Sequence, residues 1–397
     1  MTDALRPPLH PAVAEVRLAV RVALQGLLAG EHIVRGHHHD EGDERPVTAV
    51  HVALSGGPDS LALAAAVAFE APKLGLTAGA IVVDHALQSG SEAVAERAAE
   101  QARGLGLDPV SVVRVEVGSE GGPEAAARDA RYAAIAALAG GEPVLLGHTL
   151  DDQAETVLLG LGRGSGGRSL SGMAPFSGDL VRPLLGVRRA TTHAACAAAQ
   201  LEPWTDPHNA DPAYLRVRVR EEALPLLEDV LGPGVAEALA RTADQLREDE
   251  RAFAGMIDEI IEDVCEPSEA GIAVSSRALA ANPPALRQRI IRHVLASEFG
   301  LSSSRSQTLE VARLVTDWRG QGPIDLPGVR VRRDGLLVRF EASATASADA
   351  SATATAPADA SAHPSTTTPE PTATAPEPTA TSPDASPQPS TGTDPTA

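Results

Sequence analysis

The fold is decided by residues 48–60, whose sequence is TAVHVALSGGPDS. The valine- and alanine-rich half predicts a buried strand, and the glycine turn after it leads into a predicted helix over residues 59–70. A strand, a glycine turn and a helix in this order direct free backbone N–H groups and the positive end of the helix dipole toward an anion. We therefore predict a phosphate-binding loop here.

The predicted loop consists of Ser55, Gly56, Gly57, Pro58, Asp59 and Ser60. Its glycines allow the backbone to approach a phosphate closely, its serines add hydroxyl donors, and its aspartate can hold a magnesium ion. The loop lacks the G-x-x-x-x-G-K-S/T pattern, and the single lysine of the chain is Lys73. The missing loop lysine predicts a use of ATP that differs from γ-phosphate transfer.

The composition of the 397-residue chain changes near Glu341. From there to Ala397 the chain is mostly Ala, Ser, Thr and Pro, with scattered acids and no Lys or Arg. Such a segment buries too little apolar surface to offset its ordering entropy, which predicts a disordered tail over residues 341–397.

Charge and cysteine content limit the class of protein. The net charge of −20 argues against a nonspecific polyanion binder with a wholly basic surface. Cys196 and Cys265 lie far apart in helical text and form no zinc or disulfide pattern, which fits a reducing compartment. We expect no signal peptide, because residues 1–11 contain no apolar stretch, and no apolar run of the sequence reaches about 18 residues. We expect a soluble, cytoplasmic protein without a membrane span.

Apolar strand segments alternate with helical segments of about 10–15 residues in the first 220 residues. The predicted strands cover residues 48–54, 77–84, 109–117, 143–147 and 180–185, and the predicted helices cover 11–29, 59–70, 91–104, 123–139, 151–161 and 190–200. This alternation predicts an α/β fold, a Rossmann-like parallel sheet with helices on both faces. Ligands of such sheets bind beyond the carboxyl ends of the strands.

Residues 221–340 predict a smaller, mostly helical domain that ends in a β ribbon. Its predicted helices cover 235–264, 280–299 and 307–318, and its ribbon strands cover 324–329 and 336–340. The predicted domains are therefore residues 1–220, residues 221–340 and the tail 341–397.

Ionisable residues follow two of the predicted strands. Asp84 and His85 end the second strand, where a turn cap and a ligand contact are both open. Residues 147–156, GHTLDDQAET, follow the fourth strand and place three acids on one helix face, Asp151, Asp152 and Glu155. Either Asp152 caps the helix through Thr149 and the other acids are solvated, or the acids beside His148 form a pocket for Mg²⁺ or a substrate ammonium.

Arginines are concentrated after these acids. Residues 160–172, GLGRGSGGRSLSG, predict a mobile loop whose arginines, Arg163 and Arg168, can clamp phosphates; an ordinary surface loop is the alternative. Further arginines follow at Arg182, Arg188, Arg189, Arg216, Arg218 and Arg220. They predict a surface for RNA phosphates, unless those from Arg216 onward pair with acids such as Asp206 and Asp211.

The histidine-rich tract at residues 31–46 could bind a metal, but it lacks ordered ligand spacing. We interpret it as an exposed insertion and assign it no role.

Taken in chain order, these motifs resemble the tRNA(Ile)-lysidine synthase family of PP-loop ATPases. Residues 55–60 match SGGxDS, 83–87 match VDHxL, 124–128 match EAxAR, 147–156 match GHxxDDQxET, and 163–166, 170–173 and 182–185 match RGSG, L.GM and RPLL. Two positions depart from the family: Gln88 and Val217 replace an arginine and an asparagine.

The resemblance implies an ATP-dependent ligase that forms a carbon–nitrogen bond. ATP would adenylate the C2 oxygen of the first anticodon cytidine of a minor isoleucine tRNA with a CAU anticodon, and pyrophosphate would leave. The amine of free L-lysine would then displace AMP, leaving lysidine. ATP and Mg²⁺ are the implied cofactors, and a homodimer is compatible with the resemblance.

The resemblance also implies roles for individual residues. The implied catalytic residues are Asp59, Arg128, Asp151, Asp152 and Glu155. The implied nucleotide-binding residues are Ser55, Gly56, Gly57, Pro58, Asp59, Ser60, Asp84, His85 and His148. Asp59 would also bind the magnesium ion, the acids of residues 151–155 would serve lysine, and Arg128 would stabilise developing phosphate charge.

Other function classes stay open at this point. A tRNA thiolase of the same superfamily would need paired cysteines, and an amide-forming synthetase would need an amidotransferase domain for which the chain has no room. A noncatalytic nucleotide sensor would need the phosphate loop but not the acids of residues 147–156, whose presence counts against it.

Overall fold

The computed structural model describes residues 9–30, 46–84, 86, 90–115, 123–164, 166–206, 211–268 and 270–343. The predicted histidine-rich insertion, except residue 46, and the predicted tail from residue 344 lie outside these ranges. No helix of the described ranges is long and apolar enough to cross a membrane.

The larger sheet carries the phosphate loop. Its strands are β1 (Ala49–Ala53), β2 (Thr77–Asp84), β3 (Val110–Arg114), β4 (Val144–Leu145), β5 (Phe176–Ser177) and β6 (Leu180–Val181). They are ordered β3-β2-β1-β4-β6-β5, and all neighbours are parallel except the edge pair of β5 and β6. The mostly parallel sheet is confirmed, whereas β5 was missed because two residues carry no periodic pattern.

Helices cover both faces of this sheet, as expected. They are α1 (Pro11–Leu28), α2 (Pro58–Glu70), α3 (Ser91–Gly104), α4 (Pro123–Ala139), α5 (Leu150–Gly162), α6 (Gly167–Leu170) and α7 (Arg189–Ala198). Side chains of β2 alternate between the faces. Ala80 and Val82 join the core formed with α1, α2, α3 and α7, whereas Ile81 packs with Ile135 of α4.

The chain continues through mostly helical structure into a second sheet. The helices are α8 (Leu215–Arg218), α9 (Leu224–Leu231), α10 (Val235–Val264), α11 (Ser276–Ala281), α12 (Pro284–Phe299) and α13 (Arg305–Thr316). The strands are β7 (Cys265–Ser268), β8 (Gly271–Ser275), β9 (Ile324–Leu326), β10 (Val329–Asp334) and β11 (Leu337–Ala342). They form an antiparallel sheet in the order β7-β8-β11-β10-β9.

Details of this part differ from expectation. The predicted ribbon belongs to a five-stranded sheet, because a hairpin that includes Cys265 pairs with it. The helix predicted over residues 280–299 is interrupted before Pro284, which occupies the first turn of α12. Glu341, placed in the predicted tail, belongs to β11 and pairs with Arg332. The domain boundary at residue 220 stays a prediction.

The turn after β1 has the backbone that its glycines require. Gly56 has a φ of +80°, where a side chain is strained, and an added Cβ would lie 3.3 Å from Cβ of Ala98. Gly57 caps α2 with an extended backbone. The Ser60 hydroxyl donates to the Gly57 carbonyl at 3.0 Å and accepts from the Ser55 N–H at 3.3 Å. The loop is therefore internally braced at the start of α2.

The end of β4 passes directly beside this loop. A Cβ added at Gly147 would lie 3.2 Å from the backbone N and Cα of Ser60. A side chain at this position would force the neighbouring backbone to shift by a few tenths of an ångström. The close approach brings the GHTLDDQAET motif against the start of α2.

An ion pair joins helices α1 and α2. Glu70 is 1% exposed and accepts two bonds from Arg21, at 2.9 and 3.0 Å, and one from Lys73 at 3.2 Å. Lys73 and Arg17 also lie 3.4 Å from the centroid of the Phe69 ring. The hydrogen bonds from Arg21 hold the pKa of Glu70 below its usual range.

We expect Arg21→Met to lower the melting temperature by a few degrees near neutral pH, because the buried Glu70 carboxylate loses its bidentate partner. The difference from wild type should shrink as the pH falls below 4.5, the ordinary pKa of Glu70, since a protonated carboxyl no longer needs the cation. Arg103→Met is the control, because Arg103 pairs with a half-exposed Glu96. Equal losses of melting temperature in both variants across the pH range would contradict a stabilising role of the Arg21–Glu70 pair.

We expect Gly56→Ala to reduce the free energy of unfolding by about 1–2 kcal/mol, the cost of a left-handed backbone for a residue with a Cβ. Gly57→Ala is the matched control, because its φ is −75° and its Cβ would lie 3.7 Å from Ser55 Oγ, an ordinary contact. Urea denaturation of both variants measures the difference. Equal costs would show that the left-handed turn is not what constrains the loop.

Candidate active site

Most predicted site residues meet at the carboxyl edge of the larger sheet. The phosphate loop follows β1, Asp84 ends β2, and His148 follows β4. Asp84 is 5% exposed, and its Oδ1 accepts from the Ala86 N–H at 2.9 Å, so the turn cap considered from sequence is present. Its proposed nucleotide contact stays a prediction. His85 lies outside the described residues.

Helix α5 begins with the capping box that was one of the two readings of its acids. The Thr149 N–H donates to Asp152 Oδ2 at 2.8 Å, and the Asp152 N–H donates to Thr149 Oγ1 at 3.4 Å. The other acids, however, are not solvated. The Glu155 side chain is fully buried, and that of Asp151 is 20% exposed. Capping therefore explains the position of Asp152, but it does not explain how the buried charge of the acids is compensated.

Arg189, at the start of α7, contacts all three acids and compensates part of this charge. Its guanidinium donates to Asp152 Oδ1 at 2.7 Å and to Glu155 Oε1 at 3.2 Å, and its backbone N–H donates to Asp151 Oδ2 at 2.7 Å. Its Nε lies 3.8 Å from Asp59 Oδ2. One arginine thus joins all three acids of α5 to the aspartate of the phosphate loop.

Sequence reasoning placed Arg189 on an RNA-binding surface and missed this role. The available signal was its position shortly after the sixth strand of the sheet, where functional side chains of parallel sheets gather.

Glu155 has two further arginine partners. Arg220 donates to both its carboxylate oxygens at 2.7 and 3.1 Å, and Arg216 Nε lies 3.4 Å from Oε2. Arg216 also donates to Thr156 Oγ1 at 2.9 Å. These arginines therefore pair with acids, as the alternative interpretation expects. The acids include Glu155 of α5. Arg218 instead pairs with Glu222 at the surface.

Asp59 is held by α7 as well. Thr192 Oγ1 donates to its Oδ1, and His193 Nε2 lies 3.9 Å from the same oxygen. Burial raises the pKa of Asp59 above its usual value, against the opposing effects of Thr192 and Arg189. Thr192 and His193 were not singled out from sequence.

The described residues contain no group of three or more His, Cys, Asp or Glu that could hold a metal ion. Magnesium is commonly bound through one or two carboxylates together with substrate phosphates, so a single aspartate beside a phosphate loop fits that chemistry. Asp59 meets this condition, and its metal role stays a prediction.

His148 is a neutral imidazole beside the acids. Burial lowers its pKa to about 4, although Asp152 acts in the opposite direction. Its Nδ1 is buried and has no hydrogen-bond partner among the described residues. A buried, unsatisfied ring nitrogen is costly and fits a site that a ligand completes.

Arg128 is not part of the acid cluster, which consists of Asp151, Asp152 and Glu155 with their arginine partners. Its side chain is exposed, and its guanidinium lies 5.5 Å from the centroid of the Tyr132 ring on the same helix, α4. Among the described residues it forms no ion pair with the acids of α5. Its predicted contact with phosphate charge therefore has no support from this geometry and stays a prediction.

Family models match two parts of the chain. A model described as PP-loop domain matches residues 32–227, and one described as TilS substrate binding domain matches residues 275–337. The first covers the larger sheet and the acid cluster. The second covers β9 and β10 of the five-stranded sheet together with α11, α12 and α13.

Similar proteins extend over most of the chain. The tRNA(Ile)-lysidine synthase of Leifsonia xyli subsp. xyli is 62% identical over 297 residues, which cover 74% of this chain and 90% of that protein. That of Thermobifida fusca is 50% identical over 84% of this chain and 98% of its own length. That of Streptomyces coelicolor is 51% identical over 82% and 97%.

Among solved structures, a U34-tRNA thiolase from Methanococcus maripaludis aligns with a TM-score of 0.47 and 18% identity, over 60% of this chain and 80% of that chain. The three lysidine synthases are at least 50% identical to this chain over most of its length. The chain belongs to the tRNA(Ile)-lysidine synthase family of PP-loop ATPases.

Proposed function

We propose that this protein converts the first anticodon cytidine of a minor isoleucine tRNA, which carries a CAU anticodon, to lysidine. The family is one of ATP-dependent ligases that form a carbon–nitrogen bond. One observation carries the proposal to this chain: Arg189 joins Asp59 of the phosphate loop to the three acids of α5. The residues proposed for ATP and for lysine are therefore parts of one site.

The phosphate loop is suited to hold the phosphates of ATP. The left-handed Gly56 and the extended Gly57 leave no Cβ between the backbone and a ligand, and α2 starts at Pro58 with its dipole directed into the loop. When bound, ATP supplies the adenylyl group that activates C2 of the cytidine. We assign nucleotide binding to Ser55, Gly56, Gly57, Pro58, Asp59, Ser60, Asp84, His85 and His148, with Asp59 also holding Mg²⁺.

The acids of α5 are proposed to bind and orient the amine of L-lysine. Asp151, Asp152 and Glu155 lie within one helical turn of each other, and burial strengthens their attraction for an ammonium. The lowered pKa of Asp152 keeps this carboxylate ionised; burial opposes the shift, and Arg189 and Thr149 cause it.

The arginines of the cluster have to make room for a second cation. In the structure Glu155 is bonded to Arg189 and Arg220 and lies close to Arg216. A lysine ammonium gains access to a carboxylate when one of these guanidiniums moves to another anion. RNA phosphates are anions of the required kind, because arginine binds them bidentately. We also propose that Arg128 stabilises the negative charge that develops on phosphate, because arginine binds phosphate bidentately.

The partners of the reaction are thus the tRNA, free L-lysine and ATP. The proposed tRNA substrate supports a cytoplasmic location. A homodimer has no specific support and stays a prediction from the resemblance.

Incubation of the full-length protein with ATP, labelled lysine and a minor isoleucine tRNA transcript tests the function. We expect covalent transfer of lysine to the RNA together with AMP and pyrophosphate. We also expect Glu155→Gln to lower kcat by about 100-fold, because a misplaced amine reacts far more slowly. Glu96→Gln is the control, because Glu96 pairs with Arg103 at the surface.

Two results would count against these assignments. ATP consumption without lysine transfer by the folded wild-type protein would refute lysidine synthesis and favour another PP-loop activity. Lysine transfer at the wild-type rate by Glu155→Gln would remove Glu155 from the site while leaving the function standing.

The protonation of His148 gives a separate prediction. Since burial lowers its pKa to about 4, we expect its ring signals in NMR to stay constant between about pH 8 and about pH 5.5, where an ordinary histidine titrates. His148→Gln assigns the signals. Asp152→Asn should lower the pKa further, because Asp152 stabilises the protonated ring. A midpoint near 6.5 would show that the ring is solvated.

A further inference from the structure

Gln153 lies on α5 among the acids of the site but makes a different set of contacts. Its side chain is 1% exposed and pairs with the backbone of Met173 in both directions. The Gln153 Nε2 donates to the Met173 carbonyl at 2.9 Å, and the Met173 N–H donates to Gln153 Oε1 at 2.7 Å. A buried side-chain amide that satisfies a backbone N–H and C=O together holds that segment in one position.

The backbone next to this amide leaves no room for a side chain. Gly172 has a φ of +61°, and an added Cβ would lie 2.6 Å from Gln153 Oε1. About two turns further along α5, a Cβ added at Gly160 would lie 2.8 Å from the carbonyl oxygen of Ser169. Residues 166–173 therefore lie directly on α5 at two points.

Arg247 of α10 also holds this segment. Its guanidinium donates to the carbonyls of Ser171 at 2.7 Å and Met173 at 2.9 Å, while Asp244 keeps it oriented at 2.7 Å. The Met173 carbonyl thus accepts from Gln153 and Arg247 together. The segment is pinned between α5, which carries the acids, and α10, which leads toward the part matched by the substrate-binding model.

We infer that Gln153 and Arg247 are positioning residues for the tRNA substrate, because their shared grip on Met173 sets where residues 166–173 lie between α5 and α10. The inference rests on the proposed function. Neither side chain needs to touch substrate, since each acts through the backbone of the segment that it holds.

The segment carries a residue suited to tRNA. Arg168, an exposed residue of the short helix α6, lies close enough to Arg292 of α12 to act on it electrostatically. The pKa of Arg292 lies below its usual value. Burial is the largest cause, and Arg289, Arg168 and Arg305 act in the same direction, whereas Glu250 opposes the shift. Glu250 already pairs with Arg289, and the remaining guanidiniums of the group favour further anions, which a nucleic-acid backbone supplies as phosphates. Displacing the segment would take Arg168 out of this group.

The test is steady-state lysine transfer by the full-length chain, with KM measured separately for tRNA and for ATP. We expect Gln153→Met and Arg247→Met each to lower kcat/KM for tRNA by about 10- to 100-fold, the effect of a shift of roughly 1 Å in a positioned group. The KM for ATP should stay within about twofold, because the phosphate loop is braced by its own contacts.

The double variant separates positioning from general damage. Because both side chains hold one carbonyl, Gln153→Met with Arg247→Met should be no worse than the more damaging single variant. Arg247→Lys keeps a cationic donor and should retain more activity than Arg247→Met. Gln101→Met is the matched control, since Gln101 makes the same reciprocal pair with the backbone of Glu202, at 3.0 and 2.8 Å, on α3.

Wild-type kinetics for tRNA in both single variants would overturn the inference, as would losses that multiply in the double variant or that affect ATP and tRNA equally. If Gln153→Met does not fold, Arg247→Met alone decides, and an unchanged kcat/KM for tRNA overturns the inference. Failure of the wild-type protein to transfer lysine would instead refute the proposed function, so the two failures are distinguishable.

Discussion

The fully buried carboxylate of Glu155 is the constraint around which the site is arranged. A charge taken out of water is tolerated only when partners compensate it, and removal of one partner of such a pair costs about 3–5 kcal/mol. Glu155 obtains this compensation from Arg189 of α7 and from Arg216 and Arg220, which lie later in the chain. Helix α5 is thereby tied to two separate parts of the chain.

These ties explain how one site spans distant elements. Arg189 extends the pairing to Asp59 at the start of α2, and the glycine at position 147 lets the end of β4 lie against Ser60. The opposite side of α5 is occupied by Gln153 and the segment that Arg247 holds. The phosphate loop, the acids and α10 are thus connected through one helix, whose two sides serve different contacts.

Local patterns were sufficient for much of the molecule. β2 and α3 have the expected bounds, because alternation between buried faces and helical periodicity are written in consecutive residues. The hairpin of β7 and β8 was missed, since its stability depends on pairing with β11, about which short-range pattern says nothing. The phosphate loop was predictable because a glycine turn between a strand and a helix is itself a local feature.

The pairing partners of the ionisable residues could not be predicted from local patterns. The order of motifs was enough to identify the phosphate loop, the acids of α5 and the family to which the chain belongs. It could not show that Arg189, Arg216 and Arg220 meet Glu155, because these residues are 34 to 65 positions away along the chain. Which charges meet depends on how α5, α7 and the segment after it pack, and burial then makes their pairing obligatory. The physical reason is that propensity acts between neighbours in sequence, whereas desolvation acts between neighbours in space.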